Sequence, residues 1–464
     1  MPARPRAVFP LVLTVLTCSI VLTATLAVIG GTPYRETITS SRIGSGLTEA
    51  DSGSAPGLQA IGSPVLVGGI LSAMVVDEPA KKIYVANYHA SDFSVISTVS
   101  HTLENLVATG VNPNEFLADD QDHLVFVGNS YHYGPYDNCE DPCPTNGTVT
   151  MYSTATDAPV STVVVGMEPV SMAFSPRSDE LFVANEFSLN VSIVSVSQGR
   201  LVGSINLPSL ALAADPSTGM VYSAGGGPNG VVSVIDSTTN AIVANISVGG
   251  FPEYLLLNSW NHDLYVGNPG SNTVDVISTL ANRLIAVVTV PGQPDMMTID
   301  SLNGDVVVTS HEFSNERQFY NGTLTAISGI TNTVFRSVSV SAYHYGMVAD
   351  NVTGTLYLLT SGNLTVLNAT TVVPLYTDSV NATAYLLACD PAGGAIYVAA
   401  PNYYIGMSGV VNIYAAPLPI AVSPAPGILG LYPLGVPVIV GSLVTGGLLA
   451  LVAGFSRRKG HRPE

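Results

Sequence analysis

The sequence predicts an all-β fold, a β-propeller of four-stranded antiparallel blades flanked by a hydrophobic helix at each end. Three observations carry that prediction. A short apolar string recurs eight times along the 464 residues, at intervals of 40 to 56. Each recurrence sits among further short strands of alternating pattern, giving about four strands per ~40 residues, the sequence form of a propeller blade. Turn-forming residues separate the strands, and 44 Gly with 31 Pro are too many for a helical bundle or coiled coil.

The strings are IYVAN from Ile83, VFVGN from Val125, LFVAN from Leu181, VYSAG from Val221, LYVGN from Leu264, VVVTS from Val306, LYLLT from Leu356 and IYVAA from Ile396. A second strand follows several of them: FSVIST from Phe93, VSVIDS from Val232, VDVIST from Val274, LTAISG from Leu324. A third apolar run then ends at Gly-x-x-Pro, reaching Pro113, Pro169 and Pro252. Six residues before each string stand Asp77, Asp119, Ser175, Asp215, Asn258, Asp300, Asp350 and Asp390. All eight are side chains suited to bonding the backbone of their own turn. The six carboxylates among them therefore have a structural explanation and are not read as catalytic acids.

These residues carry a resemblance. The YVAN-like strings, the strand that follows and the Gly-x-x-Pro turn resemble the YVTN family of β-propeller repeats over roughly residues 62–415, departing from it at VVVTS and LYLLT, where the asparagine is absent. The resemblance implies a surface-layer or secreted protein, archaeal more than bacterial, similar to the propellers of lactonases and nitrous oxide reductase. Eight copies argue for eight blades; seven, the commoner number in the family, is the alternative. Closure favours eight: the last unit stops after Gly409–Ala416 without an outer strand, and Pro64–Leu71 resembles an outer strand waiting for a blade. An N-terminal strand that completes the last blade leaves no free sheet edge.

The ends read as membrane elements. Arg4 and Arg6 precede an apolar run to about Gly31, longer than the ~7–15 residues of a secretory core, so residues 1–31 are a signal peptide or a signal anchor. Residues 435–455 are uncharged and followed by Arg457, Arg458 and Lys459, the pattern of a transmembrane helix whose basic tail, 456–464, is cytoplasmic. Residues 32–61 and the Pro-rich 417–434 read as stalks around a propeller at 62–416. Eight Asn-x-Ser/Thr sequons, at Asn146, Asn190, Asn245, Asn321, Asn351, Asn363, Asn368 and Asn381, suit an extracellular glycoprotein. Cys139 and Cys143 are spaced for a local disulfide that an oxidising exterior tolerates. Cys389, in an inner strand, reads as a small buried apolar residue.

Charge narrows the partners. The chain carries 15 basic and 33 acidic residues, net −18, and would repel a phosphate backbone, which excludes nucleic acid. With strands lettered A to D from the centre outward, B–C and D–A loops share one face. The N-terminal segment enters as strand D and the chain leaves after strand C, so both tethers emerge on the other face and the B–C/D–A face looks outward. On that face the expected mouth of the central channel holds Glu115, Glu168, Glu253, Tyr254, Asp295 and His344, with His89, His132 and His311 farther out. Such residues have the chemistry to bind a hard cation or a metal-activated water. Loops of an acidic protein also carry carboxylates by default, and no tight metal motif or other catalytic motif occurs. A copper cluster like that of nitrous oxide reductase is rejected, because only His344 is placed for it.

Two functions follow as expectations. The first is a membrane-anchored surface propeller that binds an extracellular glycan or surface protein, or builds the envelope, with no cofactor beyond a divalent cation. The alternative is a lactonase-like metal-dependent hydrolase or lyase at the outer mouth, using Glu115, Glu253 and Asp295.

Overall fold

The computed structural model describes residues 57–130, 146–225, 227–313, 320–340, 344–402 and 408–417. Of the two compact units of the chain, Met1–Ser54 lies outside the described residues and every described element belongs to Ala55–Glu464. The expected apolar segments at 1–31 and 435–455, most of both stalks, and the Cys139/Cys143 pair also lie outside them. Among the described residues no helix is long and apolar enough to cross a membrane.

Eight four-stranded antiparallel sheets follow one another, which settles the blade count at eight. Blade 1 shows the pattern, with strands A to D at Leu71–Asp77, Lys82–Asn87, Asp92–Ser97 and Leu103–Ala108. The A strands of successive blades touch in turn around the axis, and that of blade 8 touches that of blade 1, so the ring is closed. Burial follows from this arrangement. Strand B packs against a neighbouring blade on both faces, so Ile83–Asn87 is buried without a break, whereas the outer strand Leu103–Ala108 is mostly exposed.

Blade 8 is completed as the sequence implied. Val65–Gly68 pairs antiparallel with Ser408–Ala415, matching Val65 to Val411 and Gly68 to Ser408. The ring begins earlier than residue 62, however. Ala60 bridges Tyr414, the Ile61 amide donates to Ile413 O (2.8 Å) and the Ala415 amide donates to Gln59 O (2.8 Å). Residues 59–61, read from sequence as stalk, therefore pair with the last strand of the ring. The Ala416 amide donates to Gly394 O in the A–B turn (2.8 Å), so both chain connections leave side by side at the A–B/C–D end of blade 8.

Seven of the eight turn residues behave as expected. Asp77 accepts from the Ala80 amide, Asp119 from Gln121, Asp215 from Ser217, Asn258 from Trp260, Asp300 from Leu302, Asp350 from Val352 and Asp390 from Gly393. Ser175 is the correction: its hydroxyl donates instead to Ser237 Oγ (2.9 Å), across to the next blade. A serine hydroxyl can donate as well as accept, so it is free to leave its own turn.

The repeat motif turns out to be a pair of clamps between blades. On the A–B/C–D face, the string's tyrosine reaches the C–D turn of the following blade. Tyr222 OH donates to Asn282 Oδ1 (2.7 Å) and Tyr265 OH to Asn332 Oδ1 (2.8 Å). Tyr397 OH meets His101 Nδ1 (3.2 Å) across the closing seam between blades 8 and 1. These turn residues have φ of 48°, 54° and 56°, a left-handed conformation that Asn tolerates well. Between blades 1 and 2, Lys82 does the work, with its ammonium 2.7 Å from Asp157 Oδ1 and 2.7 Å from Thr154 O.

On the opposite face, the string's asparagine is buried beneath the glycine of the preceding blade's D–A turn. A Cβ on Gly110 would stand 2.7 Å from Asn129 Cγ, one on Gly166 2.6 Å from Asn185 Cγ, and one on Gly249 2.9 Å from Asn268 Cβ. The same pairing, looser, joins Gly68 to Asn87 at the closing seam. Thr109 Oγ1 adds a bond across the seam to Asn129 Oδ1 (3.0 Å). Where the asparagine is missing, as Gly225, Ser310, Thr360 and Ala400, the glycine is missing too, replaced by Asn206, Pro291, Ser341 and Asn381. Asparagine and glycine are therefore one device split between two blades.

Candidate functional site

The expected ring of acidic residues does not form a cluster. Among the described residues, no three His, Cys, Asp or Glu side chains converge to hold a cation. Glu115 lies within strand A of blade 2, Pro113–Asp119, and not in a turn. Loss of solvent there pushes its carboxyl up to about 8. Glu168, with φ of 55°, accepts a hydrogen bond from the Ser130 hydroxyl, and its carbonyl accepts from the Glu186 amide (2.9 Å). That is a structural role at the seam of blades 2 and 3. Glu253 is half-buried in the D–A turn that leads from blade 4 into blade 5, and burial raises its carboxyl above the usual value. The Tyr254 hydroxyl is raised by burial and then by the charges of Glu253 and Asp295.

Of the expected residues that the structure describes, only Asp295, His311 and His344 come together, at the seam of blades 6 and 7. The three come from different elements. Asp295 is the bulged residue of strand A in blade 6, Gln293–Asp300, standing between Pro294 and Met296, which pair with Ser310 and Thr309. His311 lies in strand B, Asp305–Phe313, and not in the loop beyond it. His344 is the first residue of strand A in blade 7, His344–Asp350. A bulge turns one extra side chain off the ladder, and here it turns Asp295 toward both histidines.

Asp295 Oδ2 is 3.1 Å from His311 Nδ1, and its Oδ1 accepts from the Thr309 hydroxyl. His344 Nδ1 is 3.9 Å from Asp295 Oδ2, beyond hydrogen-bond reach. Burial alone would raise the Asp295 carboxyl, but His344, the Thr309 hydroxyl and His311 hold it below the usual carboxylate value. The His344 side chain is 1% exposed, and neither ring nitrogen has a hydrogen-bond partner.

His344 does not open onto a channel mouth as the sequence implied. It fills a slot at the start of strand C in the preceding blade, where Gly322 has no side chain and a Cβ would overlap the imidazole. The same slot recurs with apolar occupants. Gly147 receives Pro169, Gly230 receives Pro252 and Gly409 receives Leu71. Lined up by repeat, His344 stands where Pro113, Pro169, Pro252 and Pro294 stand. Sequence reasoning missed Gly322 and Thr309, and the signal that would have found Gly322 was this column, proline in four blades and histidine in one.

Other expected residues are placed as follows. The side chain of His89 and the residue His132 lie outside what the structure describes. Cys389 is buried, and burial pushes its thiol up. Among the sequons, Asn146, Asn245, Asn351 and Asn381 are exposed, and Asn190 and Asn363 are partly so. Asn368 is 8% exposed, with its Oδ1 accepting from the Thr371 amide and hydroxyl (both 2.8 Å).

No family model matches the chain, and no curated protein matches it. Solved structures do. Dihydro-heme d1 dehydrogenase NirN, in complex with DHE, is similar over 74% of this chain and 72% of that one, with a TM-score of 0.59 and 12% identity. The C-terminal WD40 domain of Sif2 is similar over 76% of this chain and 99% of that one, with a TM-score of 0.58 and 12% identity. BamB from Moraxella catarrhalis is similar over 77% of this chain and 99% of that one, with a TM-score of 0.51 and 13% identity. At these identities the likeness establishes the β-propeller fold and nothing finer.

Proposed function

We propose that this chain is a membrane-anchored, glycosylated cell-surface propeller of YVTN type that works as a binding or envelope-structural module. One observation carries the reading. Residues 59–61 pair with 413–415, so both connections leave the ring side by side at the A–B/C–D end of blade 8. Each leads in sequence toward an apolar segment, 7–31 on one side and 435–455 on the other. Two tethers at one point hold that face to the membrane and turn the B–C/D–A face outward. The hydrolase alternative loses its basis, because Glu115, Glu253 and Asp295 stand on three different blades without converging.

Fractionation and surface proteolysis test the reading. The chain should stay with membranes through an alkaline carbonate wash, and a protease added outside intact cells should destroy the propeller. Recovery in the soluble cytosolic fraction, or full protection from external protease, would refute it.

A further inference from the structure

We infer that the seam between blades 6 and 7 is a binding cleft for a neutral polyhydroxylated ligand, a saccharide; this rests on the reading of the chain as a surface binding module. The clamp of asparagine and glycine is absent at this seam, where Thr360 stands in the asparagine's place. A cleft of about 720 Å³ lies there, within the ~300–1,000 Å³ range of small-ligand sites. Thr323 and Ser339 line it from blade 6, and Thr360, Thr365 and Thr377 line it from blade 7. Each hydroxyl both donates and accepts, which matches the mixed donors and acceptors of a sugar.

Val340, Leu358 and Pro374 add apolar surface to the same cleft, suited to the C–H face of a sugar ring. Glu312 is the one charged residue of the lining, and neither Lys nor Arg contributes to it. A phosphate, sulfate or carboxylate ligand would therefore meet a like charge, so the ligand is neutral.

A second observation points to the same place. Gly322 lines the cleft and, having no side chain, is the wall between it and the buried His344 ring. A buried polar group without a hydrogen-bond partner is costly, and equivalent slots avoid that cost with Pro169, Pro252 and Leu71. Local rules broken at a cost cluster at functional sites. Here the broken rule adjoins the cleft.

The test uses the full chain, made in a host that attaches no N-glycans and held in a detergent without a sugar headgroup. It is applied to an array of neutral and of sialylated or sulfated oligosaccharides, and hits are titrated calorimetrically. Saturable binding to neutral oligosaccharides is expected, weakened at least about tenfold in Thr365→Val/Thr377→Val. That double variant removes both partners of a 3.0 Å hydroxyl pair at once, so the melting temperature should stay put. No binding across the array, binding confined to anionic glycans, or unchanged affinity in the folded double variant would overturn the inference. None of these results would alter the membrane fractionation, which tests the broader reading separately.

Discussion

Gly110→Ala is a one-methyl test of how the blades are joined. The three atoms nearest the new Cβ would all belong to Asn129: Cγ at 2.7 Å, Cβ at 2.8 Å and Nδ2 at 3.0 Å. Asn129 is fully buried, and its amide donates to Val127 O and Thr148 Oγ1 while accepting from Thr109 Oγ1, so it has nowhere to go. Overpacking of this kind costs about 1–3 kcal/mol. In an Asn129→Gly background all three of those atoms are absent and the obstacle is gone. The backbone at Gly110 is outside the left-handed region, so alanine should then stabilise by roughly 0.4–1 kcal/mol through the unfolded chain. The expected coupling is the difference, about 1.5–4 kcal/mol. Urea unfolding of the four proteins in the cycle measures it. If Gly110→Ala costs the same in both backgrounds to within about 0.5 kcal/mol, the two residues are independent and the shared-device account of the repeat is wrong.

Three further outcomes are expected. Desolvation raises Glu115 from its ordinary 4.5 to about 8, so its contribution to stability is full below about pH 4.5 and is lost as pH rises through 8, with a slope of at most about 1.4 kcal/mol per pH unit. Glu115→Gln should therefore flatten the melting temperature between pH 5 and 8 and raise it at pH 8; an unchanged pH profile would sink this. The side chains of Lys82 and Asp157 are 13% and 9% exposed, and stripping one partner from a buried pair costs about 3–5 kcal/mol, so Asp157→Ala should lower the urea midpoint far more than Glu104→Ala on the exposed outer strand, and equal effects would contradict it. His344→Pro restores the residue that the equivalent positions of blades 2, 3, 5 and 6 carry and removes two nitrogens without hydrogen-bond partners; a gain of about 1–2 kcal/mol is expected, and a fall in melting temperature would show that charge attraction to Asp295, 3.9 Å away, outweighs the cost of burial.

Much of the fold was legible because a repeat states its strands eight times over. Blade number, strand order and the borrowed outer strand of blade 8 all follow from where IYVAN-like strings fall and what the last unit lacks. What was not legible is what crosses a seam. Asn129 and Gly110 are 19 residues apart in sequence, and the motif lists both without saying that they touch. Ser175 looked like its neighbours in the turn column but bonds Ser237, 62 positions on. The candidate site was half legible for the same reason. Asp295, His311 and His344 were recognisable as chemically able, yet only the bulge after Pro294 and the slot at Gly322 decide that they meet while Glu115 and Glu253 stay apart.

The closing strand sets a clock on folding. Val65 pairs with Val411, so the strand Val65–Gly68 waits for a partner made roughly 350 residues later, an interval of about 20–70 s at ~5–20 residues per second. Through that time Val65–Gly68 exposes unpaired backbone, and seven blades stack into an open arc with an unfinished end. The ring gains its cooperativity in one late event, when both ends of the chain meet in blade 8. A chain cut short anywhere before Ser408 can form blades but cannot lock them, and its loose edge is a template for a neighbouring chain in the same condition.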